Sequence, residues 1–120
     1  MKYNIYIIGG VITANFFVAL LYSSQQLFRK AGFSKPETDA LLETLIRTTL
    51  HNFKQEGAKK TLTGPLQRGD ALTIRYHLDI LRTQWPDLAD LYIAFSRFII
   101  HNLVDLKQDK LDKIIKLLHP

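Results

Sequence analysis

The sequence predicts an all-α fold of about five helices. Three observations carry this expectation. Apolar residues recur at three- and four-residue intervals through most of the 120 residues. Glycine, proline and capping residues fall between those runs, where helices start and stop. No internal repeat and no low-complexity linker interrupts the pattern, so a single domain is expected.

The first ten residues admit two forms. Tyr3, Ile5, Tyr6, Ile7 and Ile8 favour a strand, and Gly9-Gly10 would stop it. Such a strand is how a Rossmann-like first strand begins, but no G-x-G-x-x-G spacing follows. The alternative is a helical extension of what comes next. From Ile5 to Tyr22 the chain carries no charge. That length suits a membrane span or a signal-peptide core. Asn15 in its middle, and Ser23-Ser24-Gln25-Gln26 continuing into an amphipathic helix, weigh against a membrane role.

The first helix is expected from Val11 to Ala31, with Phe16, Leu20, Leu27 and Phe28 recurring and Gly32 as its stop. Its early part is apolar on every side, which fits a buried central helix or a subunit interface. Ser34 and Glu37 form a capping box for the second helix, with Pro36 in its first turn. Leu41, Leu42, Leu45, Ile46, Thr49 and Phe53 trace the expected inward face, and Gly57 ends it.

Leu62 to Asp70 is the only long turn signal between the two helical halves. Gly64-Pro65 marks a turn, Gly69 permits a left-handed backbone, and Asp70 is a good N-cap for a helix from Ala71. One reading is a capped helix connection. The other adds a small anion-binding corner from Thr63, Arg68 and the free amides of the next helix. The third helix runs to about Gln84, with Leu72, Tyr76 and Ile80 as one stripe and Ile74, Leu78 and Leu81 widening it. Pro86 opens a fourth helix to about Leu106, with Leu88, Leu91, Phe95, Phe98, Ile99 and Leu103 inward. Asp109 is the expected cap of a last short helix.

Composition narrows the chemistry. The chain has no cysteine, which removes disulfides, thiolate nucleophiles and Cys-based zinc sites. This fits a reducing compartment, and a cytoplasmic location is expected. The net charge of +5 raises nucleic acid as a partner. The cations are scattered, however, and Lys110, Lys113 and Lys116 alternate with Asp109 and Asp112 as on a solvated face, so a nucleic-acid module is the weaker alternative. His51, His77, His101 and His119 show no metal-ligand spacing, so no metal is expected. No catalytic residue is assignable. His77 suits an acid or base, or a surface or capping role. Arg68 suits a substrate carboxylate or cofactor phosphate, or a salt bridge with Asp70.

Four places carry a resemblance: Ala14-Asn15-Phe16, Thr49-Leu50-His51-Asn52 followed by Gly57, the string Thr63-Gly64-Pro65 with Arg68-Gly69-Asp70, and Thr73 with His77-Leu78. Together they resemble the C-terminal helical domain (domain of unknown function 2520) of a bacterial family of oxidoreductase-like proteins. That family pairs the domain with a Rossmann-like NADP-binding domain. Its plan is similar to pyrroline-5-carboxylate reductase and 6-phosphogluconate dehydrogenase, whose helical domains dimerise and wall the substrate cleft. Ala14 departs from the family serine, and the Rossmann domain is almost wholly absent.

The resemblance implies a 6-phosphogluconate dehydrogenase C-terminal-like bundle, with residues 1–10 as a remnant of a Rossmann first strand and 11–120 as a dimerisation and substrate-cleft domain. It implies a homodimer, a small-molecule substrate, and NADP for the full-length family but no cofactor in this chain alone. The implied cleft residues are Asn15, Thr49, Asn52, Thr63, Gly64, Pro65, Arg68, Asp70 and His77.

Overall fold

The computed structural model describes residues 1–119 and is helical throughout, with no strand among them. Five long helices and two single-turn helices follow one another. We number them α1 (Lys2–Lys30), α2 (Lys35–Glu56), α3 (Ala58–Thr61), α4 (Pro65–Arg68), α5 (Ala71–Gln84), α6 (Pro86–Asn102) and α7 (Gln108–Leu118). The chain divides into two compact units, Met1–Leu50 and the part from His51 onward.

In the first unit, α1 is continuous and contains a π turn over Ile12–Phe16. The strand form of residues 1–10 is not adopted. Lys2–Val11 is α-helical, beginning with the Ile5 amide donating to the Met1 carbonyl at 3.0 Å. The physical reason is pairing. A strand needs a neighbour to take its backbone groups, whereas a helix bonds them internally and here simply lengthens the helix that follows.

The end of α1 is a Schellman motif. The Gly32 amide donates to Arg29, the Phe33 amide donates to Phe28, and the Phe28 and Phe33 rings meet edge to face at 6.1 Å. The expected capping box opens α2: the Ser34 amide donates to Glu37 Oε1 at 3.1 Å, and the Glu37 amide donates to Ser34 Oγ at 3.2 Å.

This unit has no buried apolar side chain, and only Thr38 is buried in it. The expected burial of early α1 is therefore not supplied by this chain. Tyr6 is 77% exposed, Ile8 57% and Phe16 55%. Apolar side chains emerge on two opposite sides of α1. Tyr3, Tyr6 and Ile7 share one side, and Ile5, Ile8 and Ile12 share the other. On α2, Leu41, Leu42 and Ile46 are half-buried, while Leu45 and Thr49 stay exposed. By length and composition α1 is apolar enough to cross a membrane, with a mean hydropathy of 2.0 over its most apolar stretch.

The second unit holds the core. Ile74, Leu78, Ile100, Ile114 and Leu118 form it, with Leu66, Tyr92, Leu106 and Leu111 packed around. Here α5 packs on both α6 and α7. The stripe that faces inward on α5 is Ile74, Leu78 and Leu81, whereas Leu72, Tyr76 and Ile80 are more than half exposed. Both stripes are apolar and helically spaced, and the one that packs against α6 and α7 is Ile74, Leu78 and Leu81.

On α6 the small residues Ala89 and Ser96 are buried along with Ile100. They allow close helix approach, and the larger Leu91, Phe95 and Phe98 are displaced outward. Helix α6 stops at Asn102, short of Leu106. Lys107, not Asp109, occupies the N-cap of α7, and Asp109 lies in its first turn where its charge suits the helix dipole.

Candidate functional site

The turn from Leu62 to Asp70 folds into a corner. Gly64 precedes α4, and Pro65 starts that helix at the position where its missing amide hydrogen is not needed. One turn later the chain reverses at Gly69, whose φ of 72° is left-handed. The Gly69 amide donates to Leu66 at 3.3 Å and the Asp70 amide donates to Pro65 at 2.8 Å, a second Schellman closure. The stem of Lys110 from α7 lies directly over Gly69. A Cβ there would come within 2.8 Å of Lys110 Cδ and 3.3 Å of Leu106 Cδ2.

Asp70 closes one helix and caps the next. Its Oδ1 accepts from the Thr73 amide at 3.1 Å and its Oδ2 accepts from the Thr73 hydroxyl at 2.7 Å. Arg68 Nη2 sits 3.5 Å from Oδ2. These contacts hold the Asp70 carboxyl below its ordinary range, the Thr73 hydroxyl and amide first and Arg68 after them. So the anion at the start of α5 is the chain's own carboxylate. Arg68 makes the salt bridge with Asp70. The Arg68 side chain is still 56% exposed, and Lys110 Nζ donates to its carbonyl at 3.4 Å.

Two turns along α5 from Asp70, His77 Nδ1 lies 2.9 Å from the Tyr92 hydroxyl of α6, and the two rings meet edge to face at 5.9 Å. Both residues are half-buried. Burial pushes the Tyr92 hydroxyl pKa up, so it stays neutral in ordinary conditions. Neither Tyr92 nor Arg97 was foreseen. Arg97 donates from Nη2 to the Leu118 carbonyl at 2.7 Å and contacts His119 Nδ1 at 3.0 Å, so it satisfies the end of α7.

The structure thus brings Gly64, Pro65, Arg68 and Asp70 into one corner and sets His77 along the same helix. Thr63 is exposed just before Gly64, and Asn52 is exposed near the end of α2. Asn15 and Thr49 belong to the first unit. Thr49 donates its hydroxyl to the Leu45 carbonyl at 2.7 Å. Asn15 edges an open notch of about 330 Å³ with Tyr6, Ile7, Gly10 and Val11. A second, wider depression of about 440 Å³ lies between α1 and α2, lined by Val18, Leu21, Tyr22, Leu42 and Ile46 among others.

The Gly9–Gly10 pair does not fit a dinucleotide. Gly9 and Gly10 lie inside α1, where the Gly9 carbonyl accepts from the Ile12 amide and, at 2.8 Å, from the Thr13 hydroxyl. They form no turn with free amides for a pyrophosphate. Among the described residues no three His, Asp or Glu side chains gather as metal ligands.

Fold and corner together define an all-α domain built on a long apolar helix and a capped glycine turn. Residues 2–99 match the family described as "Domain of unknown function (DUF2520)", and the chain belongs to it. The match takes in the whole of α1 and the corner. No curated protein and no solved structure matches the chain.

Proposed function

We propose that this chain is the dimerisation and substrate-cleft domain of an NAD(P)-dependent oxidoreductase and is not catalytic by itself. The observation that carries this reading is α1. A helix of 29 residues with apolar side chains exposed on opposite sides needs two neighbours, because one covers only one side. A second copy on one side and a cofactor-binding body on the other satisfy both. The corner supports the cleft role. Arg68 presents a guanidinium beside a fixed backbone turn, which suits a carboxylate or phosphate of a small substrate. Thr63, exposed just before Gly64, is a further polar group for such a ligand, and His77 lies along the next helix.

NADP, on this reading, is held outside these residues. Calorimetric titration of the chain with NADP is expected to show no binding in the micromolar range, and micromolar affinity would overturn the reading. Sedimentation equilibrium is expected to show a dimer that Val18→Glu weakens, because the substitution buries an unpaired charge. A strictly monomeric chain at high micromolar concentration would defeat it.

A membrane-anchored helical protein is the second reading, favoured by the hydropathy and length of α1. Vesicle flotation separates the two. Flotation of the chain with neutral lipid vesicles supports the anchor, and a dimer that stays with the soluble fraction supports the domain reading.

A further inference from the structure

The two depressions of the first unit follow one another along α1. Tyr6, Ile7, Gly10, Val11 and Asn15 line the notch, and the α1 residues of the wider groove run from Val18 to Gln25. We infer that α1 pairs antiparallel with α1 of a second copy, about a two-fold axis that passes between Ala14 and Asn15. This rests on the dimer reading above and names its geometry. In such a pair each residue lies level with the one equally far beyond the axis, and those on one side of the helix meet. Ile7 faces Tyr22 of the second copy, and Gly10 lies near Ala19. The N-terminal turns of each α1 then fill the groove between α1 and α2 of the other copy, and the notch receives Ala19 and Tyr22. A closed, self-complementary contact results, as two-fold symmetry requires.

Four features of the chain favour this occupant. Gly10 has nothing within 4 Å of a Cβ position, so its backbone is open to close approach. The π turn over Ile12–Phe16 matters for the same reason. In a regular α-helix Ala19 would lie on the side opposite Gly10, but the wider turn absorbs about one residue and brings Ala19 to within roughly 80° of Gly10. The exposed side chains on this side, Tyr3, Tyr6, Ile7, Val18 and Tyr22, are 42 to 77% exposed. Together they present roughly 600 Å², and the floor of the groove brings this toward the 800 Å² or so that one partner gives a standard interface.

The fourth feature is Asn15. It is the only amide in the uncharged run from Ile5 to Tyr22. Beside the axis the two copies of Asn15 come within reach of each other and satisfy each other's amides. A shifted or parallel pairing would set each against apolar side chains instead. One central amide fixes register in coiled coils in the same way.

The absence of cysteine makes the test direct, since an introduced pair is the only pair. Ala14→Cys, Ile7→Cys and Tyr22→Cys are made singly in the full chain, checked for helicity and for dimer content by sedimentation, and exposed to mild oxidation. Ala14→Cys is expected to cross-link within its own dimer. Ile7→Cys mixed with Tyr22→Cys is expected to cross-link across the mixed dimer, while Ile7→Cys alone is not, because its two copies lie about 22 Å apart along the axis. Cross-linking of Ile7→Cys alone at the level of Ala14→Cys would overturn the antiparallel register in favour of a parallel one. A dimer in which none of these positions cross-links overturns the pairing but leaves the dimer reading intact. A monomer overturns both.

Discussion

Gly69→Ala tests the corner most sharply, because two separate penalties can be told apart. The first is backbone strain. Gly69 sits at φ 72°, and an L-residue held in that region is destabilised by about 1–2 kcal/mol. The second is contact. The new Cβ would lie 2.8 Å from Lys110 Cδ, 3.2 Å from Lys110 Cβ and 3.3 Å from Leu106 Cδ2. The flexible Lys110 stem can swing away, but it then leaves the surface it covers, which adds about 1 kcal/mol. The sum is about 2–3 kcal/mol, or a urea midpoint lowered by roughly 1–1.5 M at a slope of about 2 kcal/mol/M. Lys110→Ala alone is expected to lower stability by about 1 kcal/mol, since it removes the same stem from the surface it covers. Combined with Gly69→Ala it should cost no more than Gly69→Ala alone, a coupling of about 1 kcal/mol, because the stem is gone while the strain remains. The four chains are melted in urea at one protein concentration, since association shifts the midpoint. A Gly69→Ala midpoint within error of the parent, or no coupling to Lys110, would refute the geometry described for the corner.

Three further outcomes follow from the same structure. Leu78→Ala should lower stability by about 3 kcal/mol in a urea melt, because Leu78 is 1% exposed in the centre of the core. Tyr92→Phe should lower it by about 1 kcal/mol through the lost bond to His77 at 2.9 Å, and a double-mutant cycle with His77→Phe should show the coupling. Glu37 and Asp70 are both held below their ordinary carboxyl range, by Ser34 and by Thr73 respectively. A lowered folded pKa contributes stability that is present above the unfolded value, about 3.9–4.3, and is lost as pH falls through the folded value. Asp70→Asn keeps a capping acceptor but cannot titrate, so its urea midpoint should fall less steeply than that of the parent below about pH 4.

Local features of the fold were legible in the sequence, and features set by packing were not. The Ser34–Glu37 box, the stop at Gly32 and the Asp70 cap are written within a few residues of one another, so each can be recognised without knowing the rest of the chain. The choice between Leu72-Tyr76-Ile80 and Ile74-Leu78-Leu81 is different. Both sets are apolar and helically spaced, and only the positions of α6 and α7 separate them. On α6 the expectation favoured large side chains, but close approach of helices favours Ala89 and Ser96. The N-terminal segment misled in a third way. Its tyrosines and isoleucines fit a strand locally, yet no neighbouring strand exists among the described residues, and the helix begun at Lys2 runs straight on. In the corner, the Arg68–Asp70 pair was one of two open readings, and it is present at 3.5 Å. The His77–Tyr92 pair had no sequence signal, since its members stand 15 residues apart on different helices.

The confinement of the buried apolar side chains to residues beyond Leu66 also sets how quickly different amides exchange with solvent. In α5, α6 and α7 a backbone bond opens only when packing opens with it, so exchange there tracks cooperative unfolding. In α1 each bond is held by its own helix alone, and fraying from Met1 and at the π turn is enough to release it. Exchange in α1 should therefore be fast in dilute solution and slow down as the protein concentration is raised, while the amides around Ile74 and Leu78 change little. A stretch that looks mobile in one tube would then look rigid in another, and the difference would measure association residue by residue.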